Sequence, residues 1–133
     1  MLCDVDRFKT LNDTYGHEIG DAVLRKLGEL LRNEVRLTDS VCRWGGEEFL
    51  LLPHSDSVQA VATANRIIEN IANTLMRIGP HSLSITITMG VATLKDDEKF
   101  ESAAHRADVA LYTGKAAGRN RVIAAAAHYP DTA

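Results

Sequence analysis

Val41-Cys42-Arg43-Trp44-Gly45-Gly46-Glu47-Glu48-Phe49-Leu50-Leu51-Leu52 is the stretch whose reading decides the fold. Two strand-like runs, Val41 to Trp44 and Glu48 to Leu52, flank a glycine pair. That order predicts a β-hairpin, because a tight turn asks for positive φ values that glycine tolerates. Working outward, Met1 to Val5 reads as a short buried strand that could lie beside the hairpin. Ser84 to Thr93 sets Ile85, Ile87, Met89 and Val91 against Thr86, Thr88 and Ala92, the alternation of a strand with one strongly apolar side. Arg121 to Ala124 can close the sheet.

Helical periods fill the gaps. Phe8 to Tyr15 predicts a short helix broken at Gly16, and Asp21 to Arg36 a longer one with Val23, Leu24, Leu27, Leu30, Leu31 and Val35 on one face. Ser55-Asp56-Ser57 offers caps for a third helix carrying Val58, Val61, Ile68, Ile71, Ala72 and Leu75 on one side, stopped by Gly79-Pro80. A fourth runs from Phe100 to Ala116 and ends near Gly118. The order β-α-α-β-β-α-β-α-β predicts the α+β class: an α/β sandwich with one central, mostly antiparallel five-stranded sheet flanked by helices. Residues 1–124 read as one domain, and the alanine-rich stretch 125–133 as a flexible tail that frays.

A chain of 133 residues is long enough for one sizeable core. Its net charge of −3 creates no broad field toward nucleic acid or an anionic membrane, so a polyanionic ligand must meet local positive charge. No run approaches the roughly 18 apolar residues of a membrane span. Asp4 and Asp6 interrupt the apolar opening at once, unlike a secretory signal. Cys3 and Cys42 read as reduced core residues of a cytoplasmic protein. His17, His54, His81, His105 and His128 lack zinc-ligand spacing.

Three features carry chemistry. Asp4 and Asp6 end the first strand, and Glu47 and Glu48 follow the glycine turn; if the strand lies beside the hairpin, Asp4 and Glu47 can meet at the strand ends. Paired carboxylates suit Mg²⁺, which shares oxygen ligands with substrate phosphates, although acidic residues also decorate turns. Gly45 and Gly46 either make the turn or let a ligand approach the backbone. Lys115, Arg119 and Arg121 cluster at a helix end, where they either meet the dipole or clamp phosphate.

Taken together, these segments resemble the GGDEF domain of the diguanylate cyclases, with its nucleotidyl-cyclase or palm-like fold, over nearly the whole chain. The resemblance rests on Asp4-Val5-Asp6-Arg7-Phe8-Lys9, on Asn12-Asp13-Thr14-Tyr15-Gly16-His17-Glu18-Ile19-Gly20-Asp21, and on Arg43-Trp44-Gly45-Gly46-Glu47-Glu48-Phe49 in the family's GGEEF form. Arg106-Ala107-Asp108, Ala110-Leu111-Tyr112 and Lys115 to Asn120 complete it. Family members precede the first strand with a helix bearing an Asp-x-Leu-Thr-Gly-Leu-x-Asn-Arg-Arg-like segment; nothing here matches it, so the domain is expected to lack that helix.

The resemblance implies a role for each matching position. Asp4, the Val5 carbonyl and Glu47 would hold Mg²⁺, or Mn²⁺ in its place, with Glu47 and Glu48 as the catalytic pair. Asn12 and Asp21 would read guanine. Phe8, Lys9, Lys115 and Arg119 would bracket the ribose and triphosphate, with Gly45 and Gly46 leaving room for the nucleotide. The implied reaction condenses two GTP into cyclic di-GMP and two pyrophosphates across a homodimer. Arg36-Leu37-Thr38-Asp39, five residues before Gly45, resembles the family's inhibitory Arg-x-x-Asp site for cyclic di-GMP, with Arg66 as an additional contact. A catalytically impaired domain that only binds cyclic di-GMP is the alternative.

Overall fold

The computed structural model describes residues 1–126, so the predicted tail lies almost wholly outside the described residues. The elements are β1 (Leu2–Val5), α1 (Phe8–Tyr15), α2 (His17–Glu34), β2 (Ser40–Arg43), β3 (Glu48–Leu52), α3 (Ser57–Ala72), β4 (Met76–Ile78), β5 (His81–Leu83), β6 (Ile87–Val91), α4 (Phe100–Ala116) and β7 (Val122–Ala124). The five-stranded sheet runs β2-β3-β1-β6-β7. Every pairing in it is antiparallel except β6–β7. The expected α+β sandwich is what forms.

Strand alternation sorts the core into two faces. Cys3, Val5, Phe49, Leu51, Ile87, Met89 and Val91 point to the side covered by α2 and α3, whose Val23, Leu27, Ala64 and Ile67 complete the larger cluster. Leu2 and Leu50 point the other way and meet Ala107 and Leu111 of α4. β1 is central and buried at all four positions, so even its polar residue must find a place inside.

Several expectations need correction. A second hairpin, β4–β5, stands where the third helix was expected to continue: α3 stops at Ala72, and Gly79 takes the left-handed conformation (φ 57°) that turns the chain. Leu75 therefore lies off the helix, and Val58 faces solvent because Ala60 and Ala64 supply the buried stripe instead. α2 begins at His17 rather than Asp21, since Gly16 alone breaks the helical run. The Ser84–Thr93 strand shortens to Ile87–Val91. Cys3 is buried as expected, and burial pushes its thiol far up; Cys42 is exposed, because β2 is an edge strand. Among the described residues no helix is long and apolar enough to cross a membrane.

The N-terminal end of α4 is anchored by a part-buried ion pair. Arg106 donates from Nε to Glu98 Oε2 (2.8 Å) and from Nη2 to Glu98 Oε1 (2.6 Å) and to the Thr93 carbonyl (2.7 Å). These bonds, with those from the Lys95 amide and Ser102 hydroxyl, hold the Glu98 carboxyl down from an ordinary 4.5 to about 2. A carboxyl depressed in the folded state stabilises above its unfolded value and loses that contribution as pH falls toward the folded one. Arg106→Met should therefore lower the melting temperature by several degrees at neutral pH and flatten its dependence on pH between about 4.5 and 2. Lys26→Met, which breaks the exposed Lys26–Glu29 pair, should leave it nearly unchanged. Thermal unfolding across that pH range checks both.

Candidate active site

Asp4 shares the α4-facing side of β1 with Leu2. α4 approaches this face closely because two glycines leave room. A Cβ at Gly90 would lie 2.0 Å from the Ala107 carbonyl oxygen, and one at Gly114 would lie 2.7 Å from Thr88 Cγ2. Leu111 is buried on the stripe so formed. Lys115, one helical turn on, follows the same stripe to the end of β1 and donates to Asp4 Oδ2.

Asp4 is only 2% exposed, and its Oδ1 is buried with no hydrogen-bond partner in the protein. Burial lifts its carboxyl above the ordinary range, although the Lys115 hydrogen bond and charge pull the other way. Glu47 and Glu48 are raised too, first by burial and then by the charge of Asp4. Burial pulls Lys115 down, but its bond to Asp4 and the charges of Asp4, Glu48 and Glu47 prevail and raise it. One ammonium thus faces three carboxylates. The residue directly opposite Asp4 across the β1–β3 ladder is Glu48, with Glu47 as the last residue of the loop before it.

This donor set is all oxygen, with one buried carboxylate oxygen unpaired, which fits a hard divalent cation. Asp4, Glu47 and the Val5 carbonyl at the end of β1 could hold it. Among the described residues no three His, Cys, Asp or Glu side chains gather closely enough to hold a metal ion by themselves.

The Gly45-Gly46 loop departs from its predicted geometry. Neither glycine is among the positive-φ residues, and the hairpin closes through the Trp44 and Gly45 amides, which both donate to the Glu48 carbonyl (2.8 and 3.3 Å). A Cβ at Gly46 would meet nothing within 4 Å, and one at Gly45 only Glu48 Oε2 at 3.8 Å. Backbone strain and packing therefore do not demand glycine at either position. Arg43 holds the loop instead, donating from Nε to the Gly46 carbonyl (3.0 Å) and the Gly45 carbonyl (3.3 Å).

On the α1 side, Phe8 and Asn12 converge on Gly20. A Cβ there would lie 1.8 Å from Asn12 Oδ1 and 3.2 Å from Phe8 Cζ, so the missing side chain seats both. Asn12 Oδ1 is buried and unpaired, while the neighbouring Asp21 is exposed. Lys9 is exposed on α1, and Arg119 is half-buried in the turn after α4.

The family profile described as "Diguanylate cyclase, GGDEF domain" matches residues 1–121. The chain belongs to this family. It is 40% identical over 131 residues to the response regulator PleD of Caulobacter vibrioides, covering 96% of this chain and 29% of that protein. It is 41% identical over 122 residues to the diguanylate cyclase DgcZ of Escherichia coli, covering 91% and 41%. The chain thus spans less than half the length of these relatives. Among solved structures, the GGDEF domain of DgcB from Caulobacter crescentus in complex with c-di-GMP superposes with a TM-score of 0.85 at 33% identity, over 92% of this chain and 74% of that one. The active GGEEF domain of a diguanylate cyclase from Vibrio cholerae gives 0.85 at 30% identity, over 96% and 81%.

This GGDEF domain has a second polar site away from Asp4. Arg36, Asp39 and Arg66 line one groove of about 450 Å³ with His54 and Gln59. Asp39 is buried, and its carboxylate accepts from the Arg36 amide (2.9 Å) and the His54 amide (3.1 Å), which hold it below its ordinary value. Arg32 steadies the same loop, donating to the Asp39 carbonyl (2.6 Å) and to that of Arg36. Arg36 is exposed; Arg66 donates to the Glu34 carbonyl (2.7 Å) and carboxylate (3.3 Å).

Arg32, Arg43 and Gly20 carry no signal of their own in the sequence, because their work is done on backbone or neighbouring side chains that only the fold brings near. Gly20→Ala should displace the Asn12 side chain while the domain stays folded, since a Cβ there would overlap Asn12 Oδ1. The NMR shifts of the Asn12 side-chain amide, recorded alongside circular dichroism, check this. Glu47, protonated more readily folded than unfolded, costs stability as pH rises through its folded-state value. Glu47→Gln should therefore raise the melting temperature at neutral pH in cation-free buffer, and the gain should vanish once acid protonates Glu47 in both states.

Proposed function

We propose that this domain condenses two GTP molecules into cyclic di-GMP with release of two pyrophosphates. The observation that carries the reading is the Asp4 end of the sheet. A buried carboxylate with an unpaired oxygen sits under Lys115, beside Glu47 and Glu48, next to a glycine pair that the protein itself does not need. A ligand's close approach explains those glycines. The triphosphate and a cation explain the mixed charges.

Asn12 and Asp21 receive the guanine; Asp21 accepts from guanine N–H donors that adenine lacks, so adenine leaves it unpaired at about 1–3 kcal/mol. Phe8 packs against the ribose, while Lys9, Lys115 and Arg119 orient the phosphates. Asp4, Glu47 and the Val5 carbonyl would hold Mg²⁺ or Mn²⁺, which would supply a lowered hydroxyl pKa and compensation of charge on the α-phosphate. Glu47 takes the proton of the 3′-hydroxyl, and Glu48 balances charge beside it. The 3′-oxygen of one GTP forms a bond to the other's α-phosphorus as the bond to pyrophosphate breaks. Each domain holds one GTP, so two domains face each other across a two-fold axis as a homodimer.

The groove around Arg36, Asp39 and Arg66 supports a place for the product. The arginine fork suits a guanine edge or a phosphate, and Asp39 retains lone pairs for guanine N–H groups. This makes cyclic di-GMP a feedback inhibitor, or the sole ligand if turnover is lost. The relative solved with c-di-GMP is consistent with that chemistry. Incubation with GTP and Mg²⁺, followed by chromatography, should yield cyclic di-GMP, and Glu47→Ala should yield none; wild type without product contradicts the enzyme reading. Calorimetry should show cyclic di-GMP binding that Arg36→Ala abolishes, and unchanged affinity removes the groove assignment.

A further inference from the structure

We propose that Asp6 is a positioning residue that holds the basic Lys115–Asn120 turn against the Asp4 end of β1 and so sets affinity for the nucleotide's triphosphate. The proposal rests on the GTP-binding reading above. Asp6 stands two residues beyond Asp4, yet its carboxylate is committed to the protein. Oδ2 accepts from the Thr86 hydroxyl (2.6 Å) and the Asn120 amide (2.9 Å), and Oδ1 accepts from the Thr88 hydroxyl (2.6 Å). Thr88 Oγ1 also accepts from the Asn120 amide (3.2 Å).

One carboxylate therefore ties β1, β6 and the α4–β7 turn together. That turn has three successive left-handed residues, Gly118 (φ 122°), Arg119 (φ 64°) and Asn120 (φ 48°). Glycine and asparagine tolerate this region; arginine does so poorly. The turn's other anchors are the Arg119 amide bond to the Gly114 carbonyl (3.0 Å) and the long Gly118 bond to Lys115 (3.4 Å), both reaching back into α4, the Arg121 Nε bond to the Arg119 carbonyl (2.9 Å), and the Met89 amide bond to the Arg121 carbonyl (3.0 Å), where β7 joins β6. Among the described residues, Asp6 and Thr88 are the side chains that fix the left-handed part of the turn to the sheet, through the Asn120 amide. Released from them, the turn relaxes toward right-handed geometry and carries Arg119 away from the β1 end. Asp6 is followed by another left-handed residue, Arg7 (φ 55°), where α1 begins, so the carboxylate sits between the turn bearing Arg119 and the one leading to Phe8 and Lys9. The guanine-side residues Asn12 and Asp21 hang from α1 and α2, with Gly20 as the seat of Asn12, and have no bond to Asn120 among those of the turn.

The test compares two probes, 3′-deoxy-GTP with Mg²⁺, which cannot cyclise, and guanosine, each titrated by NMR. In Asp6→Ala and in Thr88→Val, affinity for 3′-deoxy-GTP should fall about tenfold or more while guanosine affinity stays within about twofold. Thr88→Ser, which keeps the hydroxyl, should retain the wild-type ratio. If Asp6→Ala does not fold, Thr88→Val against Thr88→Ser makes the same comparison. Equal losses for both probes mean a structural role only and overturn the proposal, as does no loss for either. A wild-type domain that binds neither probe removes the GTP reading itself, which distinguishes that failure from a failure of the Asp6 assignment.

Discussion

Burial of the Asp4 carboxylate is the constraint on which the rest of the molecule turns. A four-residue central strand buried at every position has no solvent-facing side, so an acidic residue at its third position must be desolvated and matched within the protein. Desolvating a carboxylate costs several kcal/mol unless partners compensate. The fold supplies one full partner, Lys115, and brings it in through the close seating of α4 on Gly90 and Gly114. It also adds two carboxylates nearby, which works against stability. An arrangement that holds acid against acid around an unpaired oxygen is better suited to a ligand than to the apoprotein alone.

The same logic separates side chains that face ligand from those that face protein. Asp4 and Asp6 look alike in sequence, separated by Val5 alone in a short acidic motif. Their partners divide them: Asp4 leaves an oxygen unpaired, whereas Asp6 is saturated by two hydroxyls and an amide. Likewise Gly20, Gly90 and Gly114 are glycines because protein atoms occupy the space of a side chain, whereas Gly45 and Gly46 have open space beside them. Asp39 divides its work, its carboxylate shaping a loop while the groove beside it stays open.

Much of this was legible in the residues. The glycine hairpin, the alternating Ile85–Val91 run and the apolar period from Val23 to Val35 were enough for the class of fold, because each is a local pattern. The β4–β5 hairpin was not legible. Gly79-Pro80 marks a helix stop as readily as a turn, and three-residue strands such as Met76–Ile78 have too little period to show. The glycine loop was recognised for a partly wrong reason, since positive φ was expected and is not found. Site positions came from ordered motifs, but the supports around them act on backbone atoms far away in sequence. Arg43 on the loop carbonyls, Arg32 on the Arg36–Asp39 turn and Asp6 on the Asn120 amide leave no periodic trace.

The central claim is that Asp4 is buried and only partly paired because it holds a cation together with the nucleotide. Mn²⁺ offers a direct readout, through its electron paramagnetic resonance signal, with 3′-deoxy-GTP present. The account predicts that the wild-type domain binds Mn²⁺ far more tightly with the nucleotide than without it, and that Asp4→Asn abolishes that gain while the variant remains folded. Mn²⁺ binding by Asp4→Asn indistinguishable from that of the wild type would contradict it.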